Sequence, residues 1–369
     1  MRAICTQENL TKALELVSGI AGKHVNLPIL NNVLIQADKE GITLTTTNLE
    51  IGIKTLLRGK VEEVGAYTVQ AKLLGDFVRS LPRENITLSQ KDSTLILEGE
   101  NHQTKMKGEP AVDFPLIPDI TPELSVSLSA DDLRTGLTQV LFAASTDESR
   151  PELNGVYIHL EDTTMTLVAT DSYRLAEKKL TLKEPITQPH TLIVPARTFS
   201  QVIKMLTTED TSGPVTLAVN DNQIKCSLGS TEIVSRIVVG QYPDYNQIIP
   251  TEFASNVTIK VSDIMQTIRT TALFCQPGIN DVKVSYVPDT GELQLRAQNS
   301  TSGDNMSRLK ATITGQAGDL VFNHRYVTEG LNVLGGEVVE MKLNSNNVPA
   351  VMNAQGDSTY RYLIMPIKQ

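Results

Sequence analysis

The sequence predicts an α+β protein of three tandem domains, each with two helices packed on antiparallel sheet. Three observations predict it. Markers of strand, turn and helix recur in one order at a period near 125 residues. Within each period, helical spacing gives way to strict two-residue alternation and back. The chain has 369 residues, long for one domain and comfortable for two or three.

The markers come in a fixed order. First helices begin around Leu10, Leu133 and Ile264, each followed four positions on by an apolar residue, Leu14, Leu137 and Ile268, which gives one buried face. Strands begin after Asn31, Asn154 and Asn280. An apolar-x-Leu run then reaches Asn48, Asp171 and Asn299. Next a strand enters the second helix: residues 67–72 lead into 73–81, 192–197 into 198–206, and 320–325 into 326–334. The basic residue closing each of these passages, Lys72, Arg197 or Arg325, recurs after 125 and then 128 positions. Last comes an apolar or aromatic residue before proline, as Phe114-Pro115, Tyr242-Pro243 and Met365-Pro366. Boundaries near Ser125 and Phe253 divide the chain into domains 1–125, 126–253 and 254–369. Strands show in Ile42-Thr43-Leu44-Thr45, in residues 94–98 and in 215–219, and hairpin turns in Lys91-Asp92-Ser93, Asn220-Asp221-Asn222 and Asn344-Ser345-Asn346-Asn347. A repeat this long suits triplicated domains and not a solenoid.

Composition narrows the function classes. Hydrophobic residues make up 40% and charged residues 20%, ordinary values for a globular chain. No apolar stretch reaches the roughly 18 residues a membrane helix needs, and residues 1–10 lack an apolar signal core, so a cytoplasmic protein is expected. Cys5, Cys226 and Cys275 form no CxxC pair, and the five histidines are scattered, so neither a metal nor a cofactor is expected. The formal net charge of −9 argues against a surface coated in base, but not against a local positive stripe. Lys72 and Arg79 are seven apart, as are Arg197 and Lys204, which puts each pair on one helix face. Arg325 is followed at that spacing by Asn332, and Lys12, Arg134 and Arg269 of the first helices do not fall at equivalent positions. Spacing alone leaves two readings open, solvated helix charge or a functional face.

An enzyme is one rival. No GxxxxGK[ST] loop, GxGxxG turn, HExxH helix or GxSxG elbow is present. Gly22-Lys23-His24 follows the end of a phosphate loop only in part, since Val17 replaces its first glycine and His24 its Ser/Thr. A triplicated surface or adhesion protein is the other, and the scattered cysteines and missing signal count against it.

Five strings, in order along the whole chain, resemble the bacterial DNA polymerase III β subunit, the β sliding clamp family. They are Leu27-Pro28-Ile29-Leu30-Asn31-Asn32, Leu153-Asn154-Gly155-Val156, and Val168-Ala169-Thr170-Asp171-Ser172-Tyr173-Arg174-Leu175-Ala176. Tyr242-Pro243-Asp244-Tyr245 and Tyr362-Leu363-Ile364-Met365-Pro366-Ile367-Lys368 complete the set. The resemblance implies clamp domains closing as a head-to-tail dimeric ring around duplex DNA, without catalysis. It implies tethering of the replicative DNA polymerase catalytic subunit, the clamp loader, and other polymerases and repair proteins through short linear motifs. By the same resemblance, Lys23, His24, Lys72, Arg79, Arg150, Arg197, Lys204 and Arg325 face DNA without reading sequence. A peptide pocket is implied at Leu153, Thr170, Ser172, Tyr173, Arg174, Leu175, Pro243, Ile248, Asn323, Tyr326, Leu363, Ile364, Met365, Pro366 and Ile367. For Ile364 a buried last strand is the alternative, and Pro366 argues against an interior strand there. Thr104 and Met106 of one copy are implied to face Leu273 and Phe274 of the next. The chain departs from the family's habit at Ser172-Tyr173, where glycine and histidine are frequent, at Gln247 for an arginine, and at Gln369 for an apolar end. His24 stands for a loop arginine, and Pro151-Glu152 for an aromatic pair.

Overall fold

The computed structural model describes residues 1–22, 26–209 and 212–368. Lys23, His24 and Gln369 therefore lie outside the described residues. Six α-helices are described: α1 (Gln7–Val17), α2 (Ala71–Ser80), α3 (Ala130–Leu141), α4 (Ala196–Thr208), α5 (Val261–Ala272) and α6 (His324–Val333). Every described strand pairing is antiparallel, so the α+β class and its pairs of helices are borne out.

Four repeat markers fall where the sequence sets them. The turn residues Asn48, Asp171 and Asn299 come at the ends of strands Ile42–Thr47, Thr164–Thr170 and Glu292–Asn299. Leu10, Leu14, Leu133, Leu137, Ile264 and Ile268 are all buried. Strands Asn32–Ala37, Gly155–Glu161 and Asp281–Val287 begin just after the three asparagines. Strands Gly65–Gln70, His190–Pro195 and Gly318–Asn323 run straight into α2, α4 and α6. The fifth marker fails in the last repeat. Pro243 comes seven residues after the strand Thr231–Arg236 ends, but Pro366 comes two after Tyr360–Ile364. Proline stops the ladder at Pro366, where its missing N–H ends pairing, and lies in a connector at Pro243.

The chain forms two compact units. The first comprises residues 1–134, 182–184 and 197–237 and holds a thirteen-stranded sheet. In it the strand Ile51–Leu57 pairs with Thr231–Arg236, Ile51 opposite Ser235 and Thr55 opposite Thr231. The Thr55 and Thr231 hydroxyls meet at 2.7 Å inside the sheet. Buried Leu10, Leu14 and Val17 of α1, and Leu74 and Val78 of α2, fill its core.

The second unit comprises residues 135–181, 185–196 and 238–369. Its nine-stranded sheet carries the pairing of Arg174–Thr181 with Tyr360–Ile364, Leu175 opposite Leu363 and Glu177 opposite Arg361. A separate four-stranded sheet runs in the order Gly303–Lys310, Glu292–Asn299, Asp281–Val287, Gly318–Asn323 and packs against α5 and α6. Tyr360, Tyr362 and Phe322 are the largest fully buried side chains here.

Candidate peptide pocket and helix-borne cations

The pocket begins with a turn closed by its own side chains. Thr170 Oγ1 donates to the Arg174 carbonyl at 2.6 Å and accepts from the Ser172 N–H at 3.1 Å. Asp171 Oδ1 accepts from the N–H groups of Tyr173 and Arg174 at 2.9 and 3.0 Å. Short polar side chains of this kind replace ladder bonds in tight turns. The turn holds Ser172 at φ +78°, the left-handed region that glycine occupies without cost. Ser172 and Tyr173 point to solvent, Tyr173 with 63% of its surface exposed, while Leu175 turns inward and is buried.

Arg174 sits beneath this turn. Its Nε bonds Asp171 at 3.0 Å, its Nη1 bonds Glu329, and its Nη2 donates to the Phe142 carbonyl at 2.8 Å. The guanidinium lies 4.5 Å from the Tyr326 ring centre and 5.3 Å from that of Phe142. Burial works against its charge, but the Glu329 hydrogen bond and the neighbouring Tyr362, Asp171 and Glu329 outweigh it and hold the pKa above the usual arginine range. With all three nitrogens engaged, Arg174 supports the floor. Tyr326 is the other half of that support, and Asn323 Oδ1 caps α6 by accepting from the Arg325 N–H at 2.9 Å.

The floor is an apolar row across neighbouring strands. Leu175 lies opposite Leu363, and Leu363 opposite Val351. Leu153, Val168, Ile193 and Tyr242 complete this buried cluster. Ile364 is 1% exposed and is the last residue of its strand, so it belongs to the core, the alternative the sequence held open. Past it the chain leaves the sheet: the Met365 N–H donates to the Tyr173 carbonyl at 2.9 Å and the Ile367 N–H to that of Val321 at 2.7 Å. Met365 and Ile367 stay partly exposed, and Pro366 is buried. Pro243 and the 48%-exposed Ile248 lie on the connector, whose Tyr245 and Ile249 pack against this cluster. There Asp244 accepts from the Asn246 N–H at 3.2 Å and from the Gln247 side chain at 2.8 Å, opening the short 3₁₀ turn Tyr245–Ile248.

Arg150, one of the residues the resemblance sets toward DNA, lies at this turn, its Nη1 donating to Ser172 Oγ at 3.3 Å and its Nε pairing with Glu152 at 3.3 Å. Sequence reasoning missed Tyr157 and Val351. Tyr157 stacks on Tyr242 at 4.9 Å between ring centres, and Val351 extends the floor. Tyr157 lies on the half-buried phase of its strand, on the face away from Val156, Ile158 and Leu160, and Val351 lies in a strand buried throughout, so alternation singled out neither.

The helix cations divide into two sets. Lys72, Arg197 and Arg325 are each the second residue of α2, α4 and α6, exposed and without a partner among the described residues. The positive end of a helix dipole disfavours a cation there and favours an anion. The same disfavoured choice occurs at all three helices. Arg79 and Lys204, seven residues on, are tied down. Arg79 pairs with Asp76 at 3.2 Å and Glu15 at 3.8 Å. Lys204 donates to the Glu15 carbonyl near the C-terminus of α1. Burial lowers the Lys204 pKa and Arg79 adds to the lowering, while Glu15 opposes it. Lys204 thus caps a helix and is no free cation, because the i+7 face that spacing defines is occupied by α1.

Of the interface residues, Leu273 is 75% exposed just after α5, whereas Met106 is only 5% exposed and packs into its own unit. Residues 103–107 pair on one side only, with Thr94–Glu98, and Gly303–Lys310 pairs only with Glu292–Asn299. The three cysteines are free and buried, and burial pushes the Cys5 and Cys226 thiols up to about 12. Among the described residues, no group of three potential metal-ligating side chains comes together.

Family comparisons agree with this geometry. Models of the DNA polymerase III beta subunit match in order: its N-terminal domain at residues 1–118, its central domain at 127–244, and its C-terminal domain at 246–368. The beta sliding clamp of Synechococcus elongatus is 32% identical over 373 residues, spanning 100% of this chain and 99% of that one. That of Synechocystis is 31% identical over 388 residues, with the same coverage. A solved DnaN sliding clamp from Pseudomonas aeruginosa, bound to griselimycin, superposes with a TM-score of 0.95 at 26% identity, and each chain is fully covered. The chain therefore belongs to the DNA polymerase III beta subunit family, the beta sliding clamps, which are non-catalytic processivity factors of DNA polymerase.

Proposed function

We propose that two copies of this chain close head to tail around duplex DNA and hold the replicative polymerase, its loader and repair polymerases through short linear motifs. The domains are residues 1–125, 126–253 and 254–369, and the protein works in the cytoplasm, on the chromosome. No described helix is long and apolar enough to cross a membrane. The observation that carries the reading is the 170–175 turn beside its apolar row of Leu175 and Leu363, with the exit strand tied to the turn through Met365; Pro243, Ile248, Met365 and Ile367 are the proposed walls. A concave apolar floor with a polar rim suits a peptide that orders on binding.

The repeat supports the dimer. The last strand of the second repeat lies on the strand that follows the Asn48 turn, and the last strand of the third on the strand that follows the Asp171 turn. The last strand of the first repeat, Gln103–Pro110, wants by the same rule the strand after the Asn299 turn, Gly303–Lys310. A second copy supplies it, and closure by rotation gives a ring. Thr104 contributes through the strand edge, with Leu273 and Phe274 as the apolar contact. Lys72, Arg197 and Arg325 meet phosphates, and Arg79 and Lys204 hold the helices that carry them.

The test is retention: loaded protein stays on circular DNA and is lost once the circle is cut. Equal retention on both forms, or on neither, rejects the clamp reading.

A further inference from the structure

Two of the pocket's proposed walls, Pro243 and Ile248, stand on a connector, and a binding wall is only as well placed as what fixes it. The fixing groups lie one row away from the pocket floor. On the same face of the nine-stranded sheet, next to Leu175 and Leu363, Tyr157 lies opposite Val168, Val168 opposite Glu177, and Glu177 opposite Arg361. The Glu177 side chain is 4% exposed and receives a 2.8 Å hydrogen bond from Arg361 Nη2. The connector is fastened to this row twice. Tyr242 stacks on Tyr157, rings 4.9 Å apart and 18° from parallel. Tyr245 meets Tyr157 edge-on at 6.3 Å and lines one groove with Glu177 and Arg361. Arg361 lines the grooves on both sides of the connector. A carboxylate this buried is costly without a partner; Arg361 supplies it, and the connector residue Tyr245 lines the groove beside the pair.

We propose that Glu177, Arg361 and Tyr245 are positioning residues for peptide capture: they anchor the connector so that Pro243 and Ile248 face Leu175. They touch no peptide themselves. The proposal rests on the pocket reading above, and the experiment separates the two.

A fluorescent peptide of glutamine followed by spaced leucine and phenylalanine is titrated against four full-length or truncated proteins: wild type, Tyr245→Phe, Arg361→Lys, and a chain ending at Ile364. Peptides with each apolar anchor replaced in turn by alanine are run alongside. The truncated chain should not bind. Tyr245→Phe, which keeps the ring against Tyr157 but removes the hydroxyl beside Glu177, should bind about tenfold more weakly, the scale of one lost polar interaction, with an unchanged melting temperature. Arg361→Lys, which keeps the charge, should retain most of the affinity. The Tyr245→Phe penalty should disappear for the one peptide whose missing anchor meets the connector wall. If Tyr245→Phe binds like wild type while the truncation does not bind, the positioning role is overturned and the pocket stands. A penalty that persists for every peptide overturns it as well. Binding by the truncated chain overturns the pocket. Should Tyr245→Phe melt early, Glu177→Gln, which keeps the shape without the charge, decides by the same titrations.

Discussion

In the first unit the strand Ile42–Thr47 turns through Asn48, Leu49 and Glu50 into Ile51–Leu57; in the second, Thr164–Thr170 turns through Asp171, Ser172 and Tyr173 into Arg174–Thr181. The frames match bond for bond. Thr47 Oγ1 donates to the Ile51 carbonyl at 3.0 Å and accepts from the Leu49 N–H at 3.0 Å, as Thr170 does for Arg174 and Ser172. Leu49 sits at φ +74° and Ser172 at +78°. The Arg236 N–H donates to the Glu50 carbonyl at 3.0 Å, and the Met365 N–H to that of Tyr173 at 2.9 Å. The side chains then part. Where the second turn has Arg174 and Leu175, the first has Ile51 and Gly52. A Cβ at Gly52 would lie 2.5 Å from Ile117 Cδ1, so the first unit's own connector already fills the space above it. One hydrogen-bonded frame can thus be filled by its own chain or left open for another, and two side chains decide which.

The sharpest way to break this comparison is to remove the residue after each turn. Ile51→Ala leaves a core cavity and should cost about 2–4 kcal/mol in denaturant unfolding, and Arg174→Ala leaves the partly exposed Asp171 and Glu329 unpaired and should cost about 1–2 kcal/mol. Only Arg174→Ala should also weaken peptide capture, and a matching loss in Ile51→Ala would erase the distinction between the turns. A smaller effect is expected from Gly52→Leu, which imports the second turn's residue into the first. The overpacking against Ile117 should cost about 1–3 kcal/mol, and an unchanged melting curve would mean the connector yields freely. Smallest are the two left-handed positions. Leu49→Gly should be neutral to stabilising by up to about 1 kcal/mol, as relief of the strained φ offsets the entropy cost of glycine. Ser172→Gly also gives up the Arg150 bond and should gain less, so a larger gain at Ser172 would reverse the order.

The repeat was legible because its markers are local: a helix face, a strand start, a turn residue and the passage into a helix are each set by neighbours in sequence. The Pro366 marker misled because proline ends a strand as readily as it marks a connector. The pocket floor showed in Leu175 and Leu363 through family resemblance, while Val351 depends on which strand lies beside which. The Lys204 contact was out of reach for a related reason. Spacing places it on a face with Arg197, but the α1 carbonyl it caps comes from 189 residues away. Glu177 gave no signal of burial, since its value depends on Arg361, 184 residues further along.

The strand joints have a consequence for synthesis on the ribosome. Thr55 waits for Thr231, 176 residues later. At the usual elongation rates of about 5–20 residues per second, Ile51–Leu57 stays an open edge for roughly 9–35 s. Such an edge recruits strands from neighbouring nascent chains unless something discourages them. Lys54 stands exposed in the middle of that strand, a charge suited to keeping foreign strands away until Thr231–Arg236 emerges.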